Sequence, residues 1–133
     1  MKLTKRSRDS LKAYVLDLLG RMLLDWRVEV KRSFCSNDYH ATVTTVPEYR
    51  TACLQVSQEL CEKSPDELRH WITHELSHLY SARFSDTVVK MCPGRHGYAV
   101  GKAVESLDDE LAEHLARAFE KHMPLPKFKL EAE

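Results

Sequence analysis

The chain has 133 residues, of which 43% are apolar, and its 20 Lys plus Arg balance 20 Asp plus Glu. That length suits one domain over 1–133 with an ordinary core, and it excludes a two-domain chain or a disordered one. Zero net charge disfavours non-specific nucleic-acid binding, and no apolar run approaches the length of a membrane span.

The opening Met1-Lys2-Leu3-Thr4-Lys5-Arg6 has the charge of a signal-peptide start. Asp9, Lys12, Asp17 and Arg21 interrupt the next stretch, so no apolar h-region forms and a cytoplasmic protein is expected. Leu11, Val15, Leu18, Leu19, Met22 and Leu23 recur at helical spacing and predict a helix over 9–24. From Trp26 the period becomes two: Trp26, Val28 and Val30 alternate with Arg27, Glu29 and Lys31. A second strand is expected over 40–46, rich in Thr and Val and closed by Pro47, and a third over 50–57 on Ala52, Leu54 and Val56. Together they read as a three-stranded antiparallel meander. Cys35, Cys53, Cys61 and Cys92 form no CxxC pair and are expected as free thiols.

The second half is helical. Ser64-Pro65-Asp66-Glu67 combines a capping serine, a first-turn proline and a capping-box glutamate, so a helix is expected from there to about Phe84. A loop with Pro93-Gly94 and Gly97 comes next, then an acidic helix over 98–121. Residues 1–8 and 124–133 read as loosely held tails. The expected class is α+β: a helix, a short sheet, a capped helix and an acidic helix.

The capped helix carries His74-Glu75-Leu76-Ser77-His78, an HExxH motif. Residues four apart on a helix lie one above the other, so two imidazoles can reach one cation. With 7 histidines, a shuffled chain would contain the pattern about 3% of the time. On a helical wheel Glu75 falls within the apolar arc of Leu68, Trp71, Ile72, Leu76, Leu79 and Ala82. A core-facing carboxylate is costly unless something compensates it, and a zinc ion with its water is such a partner. His74 and His78 lie at the edge of the arc.

A catalytic zinc site needs a third protein ligand. In the last helix the expected core stripe is Val100, Val104, Leu107, Leu111, Leu115, Ala118 and Phe119. Glu110 and His114 flank it as the two histidines flank theirs. Glu110 is therefore the expected third ligand, with Asp109 as the alternative and His96, in His96-Gly97, as a third candidate. Asp108, inside the stripe, and His114 are candidates to orient a ligand from behind.

The segment Trp71-Ile72-Thr73-His74-Glu75-Leu76-Ser77-His78-Leu79 resembles the active-site helix of small zincin metallopeptidases. The element order from about Trp26 to Phe119 resembles the minimal gluzincin-like proteins common in phages and prophages. Asp108-Asp109-Glu110-Leu111-Ala112-Glu113-His114 is similar to their glutamate helix, although their E-x-x-x-D reads Glu110-x-x-x-His114 here. A looser likeness, through His96-Gly97, is to SprT-type proteases. The resemblance implies Zn2+ as cofactor, hydrolysis of a protein or peptide substrate with Glu75 as general base, Tyr98, His96 and Tyr80 as candidate donors to the developing oxyanion, and the host cytoplasm if the chain is phage-encoded. An extended substrate could add to an edge strand near 50–57. The alternative is a non-catalytic binding protein that keeps zinc as a structural staple.

Overall fold

The fold was taken from a computed structural model that describes residues 1–91 and 94–133, the side chains of Arg95 and His96 excepted. Helix α1 spans Lys5–Arg21, and Thr4 caps it by accepting from the Ser7 backbone N–H. It buries Leu11, Tyr14, Val15, Leu18 and Leu19. Met22 is buried just beyond its end, whereas Leu23 takes a left-handed φ of 56° and is 91% exposed. The helical stripe therefore ends one residue earlier than the sequence pattern suggests.

Strands β1 (Arg27–Val30), β2 (Ala41–Val46) and β3 (Thr51–Val56) form a mixed sheet in the order β1-β3-β2. β2 and β3 are antiparallel, whereas β1 runs parallel to β3, with Val30 beside Leu54. This corrects the expected antiparallel meander. The turn between β2 and β3 is a short 3-10 segment, Pro47–Tyr49, with Arg50 in the left-handed region, and it makes a tight reversal. The connection over 31–40 is longer than a hairpin loop and carries the chain past β3 instead. Burial explains which strand is central. Ala52, Leu54 and Val56 of β3 are buried, while Thr-rich β2 buries only Ala41 fully and suits an edge. An added strand at 50–57 is therefore ruled out, because β3 is paired on both sides; the edge beside the helices is β2.

One sheet face, with Val28, Val30, Ala52 and Leu54, packs on α1 and on α2 (Pro65–Ser77) in a common core with Leu68, Ile72 and Leu76. The other face, with Arg27, Glu29 and Thr44, is exposed. Ser64 caps α2 as expected, accepting from the Glu67 N–H. α2 stops at Ser77 rather than near Phe84 and passes into a 3-10 turn, His78–Tyr80. Thr73 Oγ1 donates to the Arg69 carbonyl and Ser77 Oγ to the Thr73 carbonyl, each at 2.7 Å. Hydroxyls bonded to the carbonyl four residues back loosen and bend a helix.

The segment expected as a loop is largely helical: α3 spans Ala82–Met91 and α4 spans Gly94–Glu120. Gly94 has a φ of 79°, which glycine adopts without strain. Pro93 and Cys92, expected in that loop and among the free thiols, lie outside the described residues. Cys35, Cys53 and Cys61 are free.

The tails are tied down rather than loose. Leu3 is wholly buried and pairs with Ala132, and Leu130 and Met123 are buried in the same core. The Thr4 N–H donates to the Glu131 carbonyl at 2.9 Å, and Tyr14 Oη donates to the Pro124 carbonyl at 2.7 Å. Apolar side chains at 3, 123 and 130 complete the core below α1, which ordinary tail composition does not reveal.

Candidate metal centre

The site forms where α2 meets α4. Ala112 and Ala116 are buried at this contact, and their small side chains let the helix axes approach closely. The expected stripe on α4 is rotated: Leu107 and Leu111 are 64% and 44% exposed, while Asp108, Ala112, Leu115, Ala116 and Phe119 face inward. On an ideal wheel this is a turn of about 70° about the helix axis. The rotation takes Glu110 and His114 to the exposed side and brings Asp109 and Glu113 to the seam. Thus the structure does not bring Glu110 to the histidines, and His114 orients no ligand.

Partners climb one helix as they descend the other, so α2 and α4 run antiparallel. His74 Nδ1 lies 2.9 Å from Glu113 Oε2, and His78 Nδ1 lies 2.9 Å from Asp108 Oδ2. Asp108 also accepts a hydrogen bond from Ser81 Oγ. Both rings thus spend Nδ1 on a carboxylate and keep Nε2 for the site, the arrangement that fixes tautomer and orientation in metal-binding histidines. His78 Nε2 lies 3.2 Å from Asp109 Oδ1. Ligand atoms around a tetrahedral zinc with bonds of about 2.0–2.1 Å stand about 3.3 Å apart. One ligand atom each from His74, His78 and Asp109 falls within 4.8 Å of the others. The nitrogen-rich, partly buried donor set suits zinc.

Glu75 is 8% exposed and faces β2. Burial, with the Asp109 charge beside it, pushes its pKa up to about 8, against a hydrogen bond from the Val43 backbone N–H. Burial and the neighbouring His78 hold the His74 pKa below its usual value despite Glu113. At Glu113 desolvation pushes upward, but hydrogen bonds from Arg117 and His74 outweigh it and the carboxyl lies below the usual range.

A cleft of about 690 Å³ opens beside this group, with Val43, Glu75, His78, Tyr98 and Asp109 in its wall. Tyr98 is 72% exposed there, with Lys102 over its ring. Tyr80 Oη instead donates to the Met22 carbonyl, so its hydroxyl is committed to the fold. The His96 side chain lies outside the described residues. Sequence reasoning missed Glu113 and also His70. The signal that could have found them was histidine at 70, 74 and 78, three successive turns of one face, opposite an acidic helix.

Compared with protein-family models, curated proteins and solved structures, the chain matches none. No helix among the described residues is long and apolar enough to cross a membrane.

Proposed function

We propose that this chain is a zinc metallopeptidase of minimal zincin-like type, its metal held by His74, His78 and Asp109, with Glu75 as general base. The observation that supports it most is the convergence of the two histidines, each backed by a carboxylate, with a buried glutamate at the same cleft. A carboxylate held close to neutral pH is poised to exchange a proton. When bound, zinc would lower the pKa of a coordinated water toward about 7 and polarise a carbonyl.

Glu75 then accepts a proton from the attacking water at a carboxylate oxygen and delivers it to the leaving amine. The Val43 N–H holds that carboxylate against β2. β2 is also the edge along which an extended peptide can add, which favours a polypeptide substrate. Tyr98 is one of the described residues, with Tyr39, Thr42, Thr45 and Ser85, whose hydroxyl lines the cleft and could reach substrate.

Glu75→Gln keeps the shape and the metal ligands but removes the base. It should bind one zinc per chain while hydrolysis of a quenched peptide library falls by at least about a hundredfold. Full activity would remove Glu75 from this role. Stoichiometric zinc with no hydrolysis by the unsubstituted chain would favour the structural-staple reading.

A further inference from the structure

One turn before His74, α2 carries a third histidine that the proposed chemistry does not use. His70 Nδ1 lies 2.8 Å from Glu120 Oε2, and its Nε2 lies 3.4 Å from Glu113 Oε1. Its ring meets Trp71 edge-on at 5.0 Å and 80°, and Trp71 in turn stacks on His40 at 4.1 Å and 17°. The imidazole is therefore held by Glu120 and by Trp71, with its other nitrogen turned toward Glu113. Both nitrogens face carboxylates of α4, so it is no part of the His74, His78 and Asp109 group.

Glu113 is the hub of these contacts. Its Oε2 faces His74 Nδ1, while Oε1 accepts from Arg117 Nε at 3.0 Å and faces His70. The Arg117 side chain is 72% exposed, and a solvated, flexible ion pair fixes geometry weakly. His70 is 21% exposed and packed against an aromatic ring, so its ring is fixed in place better than the Arg117 side chain, although its approach to Oε1 is the longer of the two.

We infer that His70 is a positioning residue of the metal centre: it holds the Glu113 carboxylate on His74 Nδ1 and so keeps the His74 Nε2 turned toward the cation. This inference rests on the reading of His74 and His78 as metal ligands. Groups behind a metal-binding histidine commonly change affinity by about 10–100-fold, and His70, one step further back, belongs at the lower end.

The test is zinc titration of the chelator-treated chain in competition with a chromophoric chelator. His70→Leu should weaken zinc by about tenfold, and His70→Gln, whose amide can still donate to Glu113, should recover most of that loss. The visible absorption of the cobalt-loaded chain should shift in His70→Leu and return in His70→Gln. A role confined to stability would alter melting without moving that spectrum. Affinity within about twofold of the unsubstituted chain and an unaltered cobalt spectrum in His70→Leu would overturn the inference. If His70→Leu does not fold, Glu120→Gln, which releases the other side of the ring, should weaken zinc in the same direction, and unchanged affinity there overturns it equally. Failure of the unsubstituted chain to bind zinc, or unchanged binding by His74→Ala, would instead sink the metal reading on which it rests.

Discussion

Glu75 occupies a place where a carboxylate is costly: it is 8% exposed, beside Asp109, with the Val43 N–H as partner. In the metal-free chain its pKa of about 8 lies above the ordinary 4.5. Between those values the folded chain holds a proton that the unfolded chain has released. Stability therefore falls as pH rises across that window, by up to about 5 kcal/mol. Urea denaturation of chelator-treated protein at pH 5 and pH 8 should show this fall, and Glu75→Gln should flatten it. His74, whose pKa is lowered, acts in the opposite sense but equally in both proteins, so their difference isolates Glu75. Parallel profiles would mean that Glu75 is better solvated than its burial implies.

Among the elements, α2 and α4 together form the site, and their seam is set by Ala112 and Ala116. Ala116 is wholly buried. Ala116→Leu should push the helices apart at a cost of about 1–3 kcal/mol. Since Glu113 lies one turn away, zinc affinity should drop as well, which parallel denaturation and titration would reveal. Loss of stability with unchanged affinity would mean that the site does not depend on this approach. The same seam explains why the sequence pattern points to Glu110 rather than Asp109. Leu107 and Leu111 look like core residues, yet the alanines make the closer contact and turn the helix toward Asp109. Propensity and hydrophobicity rank leucine above alanine, but packing against a second helix rewards the smaller side chain.

Taken whole, the molecule is a single core closed by its own ends. Leu3 and Leu130 meet beneath α1, and the Glu133 N–H donates to the Lys2 carbonyl at 2.8 Å. Leu130→Ala should cost about 2–5 kcal/mol while leaving zinc affinity unchanged, since Leu130 lies in the core and lines neither the cleft nor the contacts of His74 and His78. A melting temperature equal to that of the unsubstituted chain would mean that the tail contributes nothing to the fold.

Local features were legible without a structure because they depend on neighbours along the chain. The Ser64 cap, the alternation in β1 and β3, the four-residue spacing of His74 and His78 and the inward Glu75 all derive from periods of 3.6 or 2. What only the tertiary structure decided is non-local. Whether β2 or β3 lies at the centre depends on where a ten-residue connection carries the chain, and which α4 carboxylates meet the histidines depends on the rotation of that helix about its own axis. Neither the path of a connection nor the rotation of a helix is encoded in periodicity. Both are fixed when buried surfaces from distant parts of the chain compete for contact.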